Sequence, residues 1–124
     1  MKDPIYKLNK YMSQGVYFSL KKMKNGQSWS TLVDYSLNEL KSHLESLFTT
    51  NMSWDNYGKY GWHLEHILPI CSFKIKEAGD EEFKKCWSLN NLRPLWATTD
   101  IAIANGENED YIGNLNKGGK ITNG

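Results

Sequence analysis

A chain of 124 residues, 40% hydrophobic and rich in aromatic side chains with five Trp, seven Tyr and four Phe, suits one compact domain with a modest core and is too apolar for intrinsic disorder. No run approaches the roughly 18 apolar residues of a bilayer span, and Met1-Lys2-Asp3-Pro4 is followed by no apolar stretch of signal-peptide type; the expected address is the cytoplasm, of a bacterial or other host cell, with no membrane partner. A net charge of +1 weighs against a partner held by bulk charge, yet Lys2, Lys7, Lys10, Lys21, Lys22 and Lys24 stand against the single acid Asp3 in the first 24 residues, so this segment is locally basic.

In chain order, Asp3 before Pro4 predicts an N-cap with proline in the first helical turn, and Ile5, Leu8, Tyr11 and Met12 follow at helical spacing. This helix is expected to run, interrupted at Gly15, to Lys24 and to stop at Asn25-Gly26. Ser36-Leu37-Asn38-Glu39 is a capping-box sequence, and the apolar stripe Leu37, Leu40, Leu44, Leu47 and Phe48 behind it predicts a second helix. The turn-rich stretch from Asp55 to Gly61 then hands the chain to an extended segment from Trp62 to Ile70. A short charged helix is predicted over 80–87, an extended piece over Asn91-Leu92-Arg93-Pro94-Leu95, and a last helix over 96–105 stopped by Gly106. From Glu107 onward the glycine-rich tail is expected to fray. Cys71 and Cys86 form no CxxC and cannot build a four-cysteine zinc site; reduced, buried thiols are the expectation.

Chemistry concentrates in Trp62-His63-Leu64-Glu65-His66-Ile67-Leu68-Pro69. On a strand, His63 and Glu65 share one face and His66 points to the other unless the backbone bulges. A carboxylate able to hold a divalent cation beside an imidazole able to take a proton from water is the start of a hydrolytic site. Taken bare, H-x-E-H equally fits a half-buried histidine pair beside a surface glutamate. Zinc deaminases need a later P-C-x-x-C and zinc metalloproteases an H-E-x-x-H helix, and neither is present.

The wider constellation adds Cys86-Trp87-Ser88-Leu89-Asn90-Asn91-Leu92-Arg93-Pro94-Leu95-Trp96-Ala97. Together the two segments resemble HNH endonucleases of phages and mobile elements, which carry W-H-[IL]-D-H-I-[IL]-P, then N-L-[QR]-P-L-W, then an ending like N-L-x-K-G-[ND]-K. The residues from Ser36 to Glu45 and from Met52 to Gly58 also look like the segment preceding the nuclease core in that family, so the likeness covers roughly residues 30–105. It implies an α+β fold with a ββα-metal core and additional N-terminal helices. It further implies Mg²⁺- or Mn²⁺-assisted hydrolysis of DNA, by nicking or double-strand cutting. His66 falls on the general base and Asn91 on the asparagine that orients the base and pins the loop. His63 matches the first histidine of the motif, beside the metal or the scissile phosphate.

Two positions depart from the family pattern, and both concern the metal. Glu65 stands where aspartate is usual and Asp100 where asparagine or histidine is usual; as a pair they suit a hard, oxygen-loving cation but weaken the positive field that draws a phosphodiester. Ile101-Ala102-Ile103-Ala104-Asn105-Gly106 is apolar where the family carries a phosphate-contacting lysine, leaving Arg93, Lys117 and Lys120 as partial substitutes. A basic first helix with Lys7, Lys10, Lys21 and Lys22 is expected along the DNA backbone, although plain solubility explains surface lysines as well. Trp29, Trp54, Trp62, Trp87 and Trp96 are expected to pack rather than stack on bases. The expected organisation is thus a basic helical segment over 1–28, a nuclease domain with its preceding helix over 29–106 and a flexible tail over 107–124. A homodimer would suit double-strand cutting. The rival expectation is an HNH-fold protein that binds DNA and has lost cleavage through the changes at Glu65, Asp100 and the missing lysine; a domain whose metal is purely structural is the third.

Overall fold

Asp3 opens the first helix by accepting the Ile5 N–H at 2.9 Å, and α1 spans Pro4–Ser19. The structure, a computed structural model, describes residues 3–20 and 27–118, with side chains to residue 113. Lys21, Lys22 and Lys120, together with Lys2, Lys24 and the stop expected at Asn25-Gly26, lie outside the described residues, and the side chain of Lys117 lies beyond those described. Contrary to expectation, α1 passes Gly15 without a break. A β-carbon there would come within 2.9 Å of the Trp87 ring, so the glycine lets the helix lie directly on a buried indole.

Helix α2 spans Leu37–Ser46 and begins with both halves of the capping box: Ser36 Oγ accepts the Glu39 N–H at 3.0 Å and Glu39 returns the bond to the Ser36 N–H at 2.9 Å. Leu40 and Leu44 of its stripe are buried, whereas Leu47 is exposed. Strand β1 covers Trp62–His66 and pairs antiparallel with β2, Leu92–Trp96. Trp62 lies opposite Trp96, His63 opposite Leu95, Leu64 opposite Pro94, Glu65 opposite Arg93 and His66 opposite Leu92. Between the strands, α3 occupies Glu81–Cys86 behind an Asp80 N-cap.

The helix after β2 starts later than expected. Trp96 is the last strand residue, and α4 spans Thr99–Ala104, capped by Thr98 through a 3.1 Å bond from the Ile101 N–H. The residues from 107, expected to fray, contain a fifth helix, α5, over Glu109–Gly118. Asn108 caps it at 2.9 Å, and Tyr111 and Ile112 pack against the core, a reason for order that a count of glycines does not capture. The described residues thus form a mixed α+β fold of five α-helices and one two-stranded antiparallel sheet.

One core joins these elements. Leu8, Met12 and Val16 of α1 meet Leu40 and Leu44 of α2, the hairpin, and Phe83 and Cys86 of α3. Trp62, Trp87 and Trp96 are fully buried, as their packing role requires. Each removes about 150–250 Å² from water, on the order of 4–6 kcal/mol of transfer free energy before entropy is charged against it. Trp62 sits in an aromatic cluster with Tyr57 stacked at 4.6 Å, Phe48 at 5.0 Å and Trp54 at 5.1 Å. The hairpin entry is equally crowded: a β-carbon on Gly61 would collide with the backbone carbonyl of Asn56.

Candidate active site

Alternation along β1 decides where its chemical groups point. Trp62, Leu64 and His66 are buried while His63 and Glu65 are half-buried, so His66 faces the core side and Glu65 the other. His66 packs edge-on against Trp87 with ring centroids 4.4 Å apart. Its Nε2 is buried with no hydrogen-bond partner among the described residues. Burial therefore lowers its pKa to about 4, which leaves the imidazole neutral with an unused ring nitrogen at neutral pH.

The loop leaving His66 is held by Asn91. Leu68 N–H donates to Asn91 Oδ1 at 2.8 Å, and Nδ2 donates to the carbonyls of Leu68 at 3.1 Å and Cys86 at 2.9 Å. The partners fix the amide orientation, since an N–H can only donate and a carbonyl only accept. The Asn91 carbonyl also receives the Ile67 N–H at 2.8 Å. Three of these bonds, to Ile67 and Leu68, bind the exit of β1 to the entry of β2 beside His66, and the fourth ties that entry to the end of α3.

On the opposite side of the hairpin, Glu65 Oε1 accepts the His66 N–H at 3.1 Å. His63 Nδ1 lies 3.3 Å from the Leu64 carbonyl, and the Tyr11 hydroxyl of α1 donates to that carbonyl at 3.4 Å. Burial, with the Glu65 charge second, pushes the Tyr11 phenol up to about 12. Arg93 faces Glu65 across the ladder, yet its Nε and Nη2 are buried with no hydrogen-bond partner among the described residues. The Tyr111 hydroxyl is buried and unpartnered likewise. Burial raises that phenol to about 12; the nearby Trp96 N–H, outside hydrogen-bonding geometry, acts against the rise, Glu107 adds to it and Arg93 acts against it.

Asp100 is exposed in the first turn of α4, where a carboxylate also suits the helix dipole. Among the described residues no three or more His, Cys, Asp or Glu side chains gather as a metal-holding group, so Glu65, Asp100 and a histidine do not converge as three protein ligands. A Mg²⁺ site needs less than that, because this ion is commonly held by one or two carboxylates with waters and substrate phosphate filling the remaining positions. Lys7 and Lys10 are exposed on α1, and Lys7 lies one turn before Tyr11, whose hydroxyl reaches the Leu64 carbonyl.

His43 is a residue that the motif reading passed over. From α2 its Nε2 donates to the Leu92 carbonyl at 2.8 Å, fixing the start of β2 directly opposite His66. Its sequence signal is its place three residues after Leu40, on the border of the buried stripe.

Two curated proteins of Acanthamoeba polyphaga mimivirus resemble the chain. Uncharacterized protein L426 is 31% identical over 93 residues, covering 75% of this chain and 40% of the relative. Uncharacterized protein L246 is 27% identical over 115 residues, covering 93% of this chain and 49% of the relative. The chain therefore spans less than half the length of these relatives. No family model and no solved structure matches it. No helix among the described residues is long and apolar enough to cross a membrane.

Proposed function

We propose that the chain is a metal-dependent DNA endonuclease of the HNH type, with a ββα-metal centre formed by β1, β2 and α4. The observation that carries this reading is the Asn91 clamp beside His66: the H-x-E-H segment and the later asparagine, distant in sequence, meet at one end of one hairpin. That is the division of labour expected of a base and the residue that pins its loop.

On this reading Glu65 and Asp100 would hold a hard divalent cation through their oxygens, with His63 on the Glu65 face of β1. When bound, Mg²⁺ would supply charge neutralisation at the phosphate and the leaving oxygen. His66 Nε2 takes a proton from water as the water oxygen forms its bond to phosphorus, and the opposite P–O bond breaks with its electron pair going to the leaving oxygen. Because Nε2 is covered in this fold, substrate binding has to uncover it. Arg93 and the α1 lysines Lys7 and Lys10 contact phosphates along the Glu65 edge.

A second reading is an HNH-fold protein that binds DNA without cutting it. The covered Nε2 favours it. Plasmid incubated with the protein and Mg²⁺ or Mn²⁺ separates the two. Nicking that vanishes in His66→Ala supports the enzyme; a retarded plasmid left intact in both metals supports the binder and sinks the enzyme.

A further inference from the structure

A histidine that takes a proton from water needs its ring held, and the usual holder is a hydrogen bond to the second ring nitrogen. Among the described residues no group is hydrogen-bonded to either nitrogen of the His66 ring, and Nε2 is buried without a partner. What meets the ring instead is the Trp87 indole, at 83° to it with centroids 4.4 Å apart.

Trp87 is fully buried and is itself fixed from several directions. Its Nε1 donates to Ser19 Oγ at 3.0 Å, and Ser19 Oγ donates in turn to the Val16 carbonyl at 2.8 Å. The hydroxyl proton is thereby committed to α1, and the oxygen's lone pairs serve the indole. The bare Cα of Gly15 lets α1 lie against the indole, where a β-carbon would come within 2.9 Å. The backbone beneath the ring is held as well: the Tyr35 hydroxyl donates to the Trp87 carbonyl at 2.6 Å, and Asn91 Nδ2 donates to the preceding carbonyl, of Cys86, at 2.9 Å. Turning the indole would strand a buried N–H, so the ring keeps one orientation and stands as a wall for the imidazole.

We propose that Trp87 is a positioning residue for the general base: anchored on Ser19, it sets the direction in which the His66 ring nitrogens point. The role rests on the nuclease reading above; the anchored contact does not. It gives the end of α1 a part in the reaction through Ser19, which does not touch the reacting atoms.

Ser19→Ala removes the anchor and leaves Trp87 and His66 in place, whereas Ser19→Thr keeps the hydroxyl. Trp87→Phe, which keeps a ring but no N–H, is the second variant; circular dichroism checks that each folds. In proton NMR of the full chain without metal, the imidazole C–H signals of His66 carry the ring-current shift of the indole, and His43 and His63, the other two histidines, are internal controls. Ser19→Ala and Trp87→Phe are expected to move the His66 signals alone. Both should slow single-turnover cleavage in Mg²⁺ about tenfold at saturating DNA, with the half-saturating DNA concentration unchanged and Ser19→Thr close to wild type. A role in packing alone would lower stability and leave the rate of the folded protein as it was. Unmoved His66 signals, or an unchanged rate in both variants of a wild type that cuts, overturn the positioning role and leave the nuclease reading standing. A wild type that does not cut overturns the nuclease reading and the role with it.

Discussion

Glu65 and Arg93 stand directly opposite each other on β1 and β2, and no ion pair joins them. Opposite charges facing across a ladder typically contribute about 0.2–1 kcal/mol when they meet. Here the carboxylate turns to the His66 N–H and the guanidinium lies with two nitrogens unpartnered. On the proposed nuclease reading, Glu65 would be a ligand of the cation. Glu65→Gln retains the acceptor for His66 and is expected to change unfolding free energy by less than about 1 kcal/mol while lowering Mg²⁺-dependent cleavage by on the order of a hundredfold. Chemical denaturation and a cleavage time course measured side by side read the two effects; unchanged cleavage would remove Glu65 from the metal site.

Asn91 answers to a stability measurement of its own. Its side chain makes three hydrogen bonds, one to an N–H and two to carbonyls. Asn91→Ala should lower unfolding free energy by about 3 kcal/mol, each net bond counting for roughly 1 kcal/mol. Asn91→Asp should do no better, because it keeps the acceptor for Leu68 but sets a carboxylate against two carbonyl oxygens. A loss below about 1 kcal/mol for either variant would mean that the clamp does not hold the loop.

Gly15→Ala opposes two effects of known size. Alanine is favoured over glycine in a helix by about 1 kcal/mol. The new methyl, however, would meet the Trp87 ring at 2.9 Å, and that ring is fully buried, bonded through Nε1 to Ser19 Oγ at 3.0 Å and in contact with His66. Overpacking of this kind costs about 1–3 kcal/mol. A net destabilisation of about 1 kcal/mol is expected in urea unfolding, and a stabilised variant would show that Trp87 yields freely.

The pH dependence of stability follows from His66. Its pKa falls from an ordinary 6.5 to about 4 in the fold. Between those values the unfolded chain binds a proton that the native chain does not, so unfolding becomes easier as pH drops. The contribution is complete above the unfolded value and is lost progressively as pH falls toward about 4, amounting to roughly 3 kcal/mol in all. Between pH 6.5 and 5, above the ordinary carboxylate range, urea unfolding should show a loss of about 1–2 kcal/mol that His66→Gln abolishes. An unchanged slope in the variant would assign the effect elsewhere.

Local signals in the sequence carried as far as local physics reaches. The Asp3 and Ser36 caps, the β1 alternation and the extended piece before Pro94 all depend on neighbours within a few residues, and all are present. Gly15 read as an interruption because its reason is a tertiary contact with Trp87, 72 positions away. Helix α5 was missed because its order comes from Tyr111 and Ile112 packing on the core. At the candidate site, the strand period gave the opposed directions of Glu65 and His66, but not the burial of Nε2, which the Trp87 ring and its surroundings produce. His43 belongs to no motif; its role arises only once α2 reaches β2.

The most direct test of the central claim is the single-turnover rate at which wild type and His66→Ala cut a labelled DNA duplex with Mg²⁺, on protein shown by circular dichroism to be folded. The wild type should cut, with cutting abolished by chelation, and His66→Ala should be slower by about 10²–10⁴-fold, the usual worth of a general base. Equal rates in the two proteins, or no cleavage by the wild type in Mg²⁺ or Mn²⁺, would contradict the assignment of His66 as the base of a metal-dependent nuclease.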